Sequence, residues 1–383
     1  LEAASEAETP PTPGEKLLQV LQEHQMSQTE LCQRTGRPKK TINEIIKGKA
    51  QVTAETAIQF QLVLGVKAEV WTELEAKVQE RRAFEKMSES CAAAASWLEQ
   101  LPHPAMETAK WIPPVPDTGD PGKTAALRVV QLLEWFGVAS PEAWHEVYIE
   151  RQAGFRRDPP FAADPGVLAA WMRTGELQAG TMRTAPYDRK TFQAALQKIR
   201  ALTVQPIAIA QDRMIELAAA AGVAVTWARE LGDFRVAGLT RWLSPRKALI
   251  HLSLAGTTDD QVWLTFFHQA GHLLLHGKKQ VYLEGASRGA AGPSRDDEEA
   301  AADEFATQLL APAAKLRNLY AFCQTHTLNE MILRSYAAEL GIAPGIVVAR
   351  LQQLGWLAAS DLNHLKQRLE WAPPGTEADP QVY

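Results

Sequence analysis

The chain has 383 residues, 46% of them hydrophobic, and a formal net charge of −5. That length suits two or three domains with sizeable cores, and the charge balance excludes a polyelectrolyte that binds nucleic acid over its whole surface. No apolar run reaches the roughly 18 residues a membrane span needs, and three cysteines without CxxC spacing argue against a disulfide framework and for a reducing cytoplasm.

Residues 1–13 are acidic and proline-rich. They lack the basic start and apolar core of a signal peptide and are expected to form a disordered lead-in. Residues 14–80 alternate short helical patterns with short turns. Ser27 is a good N-cap, and Glu30 stands three residues later where a capping box would place it. Gly36 marks a turn, and Pro38 follows where a helix start tolerates proline. Ile42, Ile45 and Ile46 give the next helix an inward face, with Lys39, Lys40, Thr41, Asn43 and Lys47 mostly on the other side. Residues 31–49 hold six basic side chains against the single acid Glu44. Two short helices around such a turn make a helix-turn-helix. Arg37, Lys39, Lys40 and Lys47 are the candidate phosphate contacts, while Thr41 and Asn43 could reach base edges. The plainer alternative is a small bundle with a solvated charged face.

The segments "RTGRPKKTINEIIKGKAQVTAETA" and "LGVKAEVWTELEA" resemble the Xre-type helix-turn-helix of HigA-like antitoxins and repressors. The resemblance implies a five-helix domain that binds a double-stranded DNA operator as a homodimer.

Residues 81–123 read as a helix followed by a linker or long surface loop rich in Pro and Gly. Residues 124–200 look helical and carry no assignable motif, so they are a candidate sensor or dimerisation region. "GVAVTWARE", "FRVAGLTRWL" and "KALIHLSL" then follow in close order and are predicted to be three strands. The predicted chain is therefore mainly α with a small β-sheet, an α+β fold. Residues 201–371 form its last domain and residues 372–383 a tail.

The helix after the strands contains "TFFHQAGHLLLHG". Residues four apart on a helix differ by about 40° around the axis, so His268 and His272 share a face and their imidazoles can reach one ion. Zinc suits such a pair and needs a third protein ligand. In "EEAAADEFATQLLAP", Glu299 and Asp303 sit one turn apart near a helix start, and Glu298 lies on a different side. Chance spacing and the ordinary preference of acids for a helix N-terminus are the plainer readings of each piece alone.

Together, "VWLTFFHQAGHLLLHGKKQVYLEG", "EEAAADEFATQLLAP" and "GLTRWLSPRKALIHLSL" resemble the ImmA/IrrE family of zinc metallopeptidases, over residues 170–355. The resemblance implies a zincin-like domain in which His268, His272 and Glu299 hold zinc. The family's general-base glutamate falls on Gln269. Members of that family cleave Xre-type repressors after stress, which implies a protein substrate, either such a repressor or this chain itself. Glutamine matches glutamate in shape but has no usable basicity, and proton transfer by a placed side chain is worth about 10²–10⁴ in rate. The chain is thus expected to bind zinc while scarcely turning over. A natural pseudo-enzyme kept for sensing and a deliberate Glu→Gln change both fit, and the intact remainder of the motif favours the second.

Tyr282 is a candidate donor to a developing oxyanion, and His276 a candidate site residue beyond the helix pair. The expected protein is a cytoplasmic, stress-responsive regulator with no membrane partner: a DNA reader fused to a zinc endopeptidase that cleaves a repressor or itself. Single-stranded DNA or another stress signal would be the activator. The alternative is a non-enzymatic HigA-like repressor whose pseudo-peptidase domain senses a ligand or DNA.

Overall fold

The computed structural model describes residues 11–150, 156–157, 164–232, 235–254, 258–278, 280–285, 297–323, 326 and 328–371. The expected tail at 372–383 and most of the expected lead-in lie outside these residues. The chain divides into two compact units, residues 1–94 with 120–127, and residues 95–119 with 128–383.

The first unit contains α1 (Pro13–Glu23), α2 (Gln28–Thr35), α3 (Lys39–Ile46), α4 (Ala54–Leu64) and α5 (Ala68–Ala93). Thr12 and Glu15 close a capping box at the start of α1. At α2 only half of the expected box forms. Ser27 accepts from the Glu30 N–H, but the Glu30 carboxylate turns to Arg34 at 2.6 Å, one helical turn on. The i,i+4 ion pair competes with the cap for the same side chain. Gly36 ends α2 with φ 70°, and Pro38 caps α3. Leu17, Leu31, Ile42, Ile45, Phe60 and Trp71 fill the core. Gly14 lets α1 lie on the end of α3, since a Cβ there would meet the Ile46 carbonyl oxygen at 2.4 Å.

The second unit starts with a 3₁₀ turn (Ala95–Gln100) and α6 (His103–Thr108). α7 (Pro121–Phe136), whose residues 121–127 belong to the first unit, and α8 (Pro141–Trp144) follow, and α8 runs into a wider turn, His145–Ile149. The segment expected to be a linker therefore holds α6 and the start of α7. Next come β1 (Arg156–Arg157), α9 (Pro165–Thr181), α10 (Arg189–Leu202), α11 (Ile207–Ala219), β2 (Val223–Trp227), β3 (Val236–Ser244), β4 (Lys247–Leu252) and α12 (Asp259–Leu275). β5 (Tyr282–Gly285), α13 (Asp297–Leu310), α14 (Ala313–Cys323), α15 (Glu330–Leu340), α16 (Pro344–Gln353) and a 3₁₀ turn (Asn363–Leu365) complete the described elements. The result is mainly helical with a small mixed sheet. Four full strands make the sheet, and the two-residue β1 extends its edge, in the order β1-β5-β3-β4-β2. β3 pairs antiparallel with β4 and β5, and β2 runs parallel to β4. The three predicted strands are present. β5 is an additional strand beyond those three, and its four residues give too short a pattern to show in the sequence.

Alternation along the strands divides the sheet's two faces. Ala248, Ile250 and Leu252 of β4 join the core that includes Phe266 and Phe267 of α12. On the other face, His251 packs against Trp171 of α9 with ring centroids 4.1 Å apart and the planes tilted by 40°, and its Nδ1 lies 2.8 Å from the Thr226 hydroxyl. Burial lowers His251 to a pKa of about 3, so it is a neutral structural group. Arg241 of β3 pairs with Glu176 of α9.

α12 is buried on almost every side, and two glycines allow it. A Cβ on Gly271 would meet the Ala302 backbone of α13 at 3.2 Å, and one on Gly238 of β3 would meet the Thr265 methyl at 2.5 Å. Residues near the C-terminus bind the start of α12. The Asp259 N–H donates to the Gln367 carbonyl at 2.9 Å, Asp259 Oδ1 accepts from the Gln367 N–H at 2.8 Å, and Lys366 lies 3.5 Å from Asp260. α15 and α16 bend sharply at Gly341–Ala343 and bury Ile346 and Val347 in the same core as α12. Among the described residues no single helix is long and apolar enough to cross a membrane.

Two outcomes follow from this packing. Gly238→Ala, which forces Thr265 aside in a filled layer, is expected to destabilise the chain by about 1–3 kcal/mol, measured by denaturant unfolding. Burial, reinforced by Asp260, raises Asp259 from 3.8 to about 6 despite the Gln367 N–H. An acid whose pKa is higher folded than unfolded weakens the fold as pH rises through that folded value. Asp259→Asn should therefore raise stability at pH 8 by up to about 3 kcal/mol, by about half that at pH 5, and by almost nothing near pH 3. A gain of equal size at all three values would rule out titration of Asp259 as the cause.

Candidate functional site

His268 and His272 lie on the side of α12 that meets α13, whose first turns carry Glu299 and Asp303. One donor atom from each of His268, His272 and Glu299 lies within 4.8 Å of the others. The two Nε2 atoms are 2.8 Å apart, and Glu299 oxygens stand 3.3 Å from His268 Nε2 and 3.4 Å from His272 Nε2. Ligand atoms about 2.0 Å from a tetrahedral ion are separated by about 3.3 Å. The triangle therefore has the size of three corners of a zinc site. All three side chains are almost fully buried. Two imidazoles and a carboxylate facing one another inside an apolar core are costly unless something binds them together.

The protonation states suit the same purpose. Burial lowers His272 to about 4, despite its hydrogen bond to Glu299, so its imidazole is neutral, the form that ligates. Burial alone would raise Glu299, but its hydrogen bonds to His268 and His272 outweigh this and hold it well below the usual carboxylate range. It supplies an anionic oxygen. The other ring nitrogen of His268, Nδ1, donates to Asp303 Oδ1 at 2.9 Å. That bond fixes the tautomer and turns Nε2 toward the cluster, the arrangement of a carboxylate behind a ligating histidine. The i,i+4 spacing of Glu299 and Asp303 signals this in the sequence, although only contact with α12 shows which histidine Asp303 serves. His272 Nδ1 has no hydrogen-bond partner among the described residues, and its ring is held by stacking on Tyr282, 3.9 Å away and 14° from parallel.

The remaining sequence candidates divide. Gln269 is fully buried beside the histidine pair, and its Nε2–H donates to Glu284 Oε2 at 3.4 Å. Glu284, on β5, is itself buried and was not singled out from sequence. The Tyr282 hydroxyl contacts Gln280 and lies 3.1 Å from Glu298 Oε2, so it faces the start of α13. His276, just past the end of α12, donates from Nε2 to the Glu298 carbonyl at 2.9 Å. Tyr282 and His276 thus both tie the end of α12 and β5 to Glu298, next to the Glu299 ligand position.

In the first unit, α3 presents Lys39, Lys40, Asn43 and Lys47 to solvent, with Thr41 half-buried among them. Lys40 stands 3.9 Å from Glu44 on the same helix. Arg37 is placed differently. Its Nε donates to Gln59 at 2.7 Å and its guanidinium meets Glu55 at 3.1 Å, which ties the turn before α3 to α4. The exposed lysines flank an amide on one short helix, the form of a recognition helix whose cations meet phosphates.

Residues 16–67 match the family model of the Cro/C1-type helix-turn-helix DNA-binding domain. Among solved structures, the chain is similar to a protein from Nostoc punctiforme described as an antidote protein of a plasmid maintenance system. That match has 27% identity over 21% of this chain and 89% of that chain, with a TM-score of 0.21. It is also similar to an addiction module antidote protein of the HigA family from Coxiella burnetii, at 26% identity over 21% of this chain and 89% of that one, with a TM-score of 0.20. No curated protein matches the chain. The N-terminal part of the chain is a Cro/C1-type helix-turn-helix DNA-binding domain.

Proposed function

We propose that this chain is a cytoplasmic, stress-responsive transcriptional regulator whose second unit is a zinc endopeptidase of the ImmA/IrrE type, stalled by Gln269. The observation that carries the reading is the buried triangle of His268, His272 and Glu299 with Asp303 behind it. The donors fit zinc in type, number, spacing and charge. When bound, zinc would supply Lewis-acid polarisation of a peptide carbonyl and activation of a water molecule. The chain's own residues do the rest. His268, His272 and Glu299 hold the ion, Asp303 orients His268, and Tyr282 braces the His272 ring. Gln269 occupies the place from which a carboxylate would remove a proton and can only donate or accept a hydrogen bond there. The substrate is a protein, a Cro/C1-type repressor or this chain, and the activator is single-stranded DNA or another stress signal. The DNA-binding unit reads a double-stranded operator as a homodimer, with Lys39, Lys40 and Lys47 on phosphates and Thr41 and Asn43 nearest the bases.

The second reading is a non-enzymatic, HigA-like repressor in which the metal centre only senses. Gln269 favours it, because it removes the general base while leaving the ligand positions intact.

Restoring the acid separates the two. Gln269→Glu with zinc bound is expected to raise cleavage of a Cro/C1-type repressor or of the chain itself by at least about 10²-fold over the unaltered chain. Mass spectrometry would follow the fragments, and both a chelator and His272→Ala should abolish them. An intact substrate with stoichiometric zinc bound would remove the peptidase reading and leave the sensor. For the DNA face, Lys40→Ala and Lys47→Ala should each weaken binding to duplex DNA from the chain's own promoter and lower the salt slope by about 1. Arg37→Ala should instead lower the melting temperature, because its guanidinium is spent on Gln59 and Glu55. Titrations by fluorescence anisotropy at several salt concentrations, beside thermal melts, check both.

A further inference from the structure

The geometry points to Glu284 as a residue matched to glutamine at position 269: the two form a buried amide–carboxylate pair, and residue 284 sets how well an acid at 269 can work. The consequence for activity rests on the peptidase reading above; the pairing itself does not.

Three observations place the pair. Gln269 is 0% exposed and Glu284 3%, with the amide Nε2 3.4 Å from the carboxylate Oε2. Glu284 stands opposite Gly238 in the β3–β5 ladder, and a Cβ on Gly238 would come within 3.2 Å of Gln269 Cγ. The absent side chain leaves the gap through which Gln269 comes down on the sheet toward Glu284. Tyr282, two residues back on the same face of β5, stacks on His272. β5 therefore runs along α12 with Tyr282 bracing a metal-ligand position and Glu284 meeting the residue between the histidines.

A buried carboxylate requires donors, and the Gln269 amide supplies one. A glutamate at 269 supplies none when ionised and sets a second negative charge against the first. Like charges in contact within a dry interior repel far more strongly than at a surface. The centre is then adapted to glutamine through a second residue, and a lone Gln269→Glu change meets Glu284 as an opponent. Inverting the pair, with glutamate at 269 and glutamine at 284, keeps one donor and one carboxylate. It also puts the carboxylate on the helix that carries the histidines.

The test uses four full-length chains: unaltered, Glu284→Gln, Gln269→Glu and the double variant. Each is melted with a chelator present, so that metal binding does not enter, and then assayed with zinc. We expect Gln269→Glu to melt several degrees lower than the unaltered chain and Glu284→Gln to return at least half of that loss when added to it. With zinc bound, the double variant should cleave protein substrate at least about tenfold faster than Gln269→Glu alone. The Glu284→Gln chain, which leaves two neutral amides in place, shows that the site tolerates the change at 284. If Glu284→Gln gives no recovery in the Gln269→Glu background, or if Gln269→Glu alone is as stable and as active as the double variant, the pairing is wrong. Recovery of stability with zinc bound but no cleavage by either acid-bearing chain would uphold the pair and overturn the peptidase reading instead.

Discussion

The candidate centre depends on how closely α12 approaches its neighbours. Gly271 allows the helix to lie against the α13 backbone, and Gly238 opens β3 beneath Thr265 and Gln269. A helix held off by one methyl group on either side would carry His268 and His272 away from Glu299, or Gln269 away from Glu284. Interiors pack at crystal-like density and transmit such shifts. The short distances between the ligand atoms are therefore set by two residues that contribute no chemistry.

Burial then governs the electrostatics. Desolvation keeps His272 neutral, and the histidines keep Glu299 ionised despite it. Asp303 supplies the outer carboxylate, and Tyr282 and His276 tie the same region to Glu298. Gln269, between the two histidines, is instead turned to Glu284 on β5.

The DNA-binding unit shows a similar division of labour. Ile42 and Ile45 anchor α3 in the core, Arg37 ties its approach to α4, and the exposed lysines and Asn43 are left for a partner. A basic run in the sequence thus resolves into two arginines held by acids, Arg34 by Glu30 and Arg37 by Glu55, and lysines that face solvent. Arg37 differs from Lys39 only through contacts made with Glu55 and Gln59, residues some twenty positions away.

Local pattern determined much of this protein. The i,i+4 histidines, the acid-led helix of Glu299, the three strands of the sheet and the helix-turn-helix with its apolar stripe all follow from periodicity within one element, which neighbouring residues encode. The tertiary structure decided what depends on contacts between elements. Nothing local marks β5 as a strand, because its four residues are ordered by pairing with β3. The Glu30 side chain had two local partners to choose from, and Arg34 took it from the cap. Asp303 acquires its role only once α13 lies on α12, and Glu284 only once β5 brings a buried carboxylate to Gln269. By itself the sequence identified a pair of histidines with a glutamine between them; the fold, through burial and close packing, decided what surrounds them.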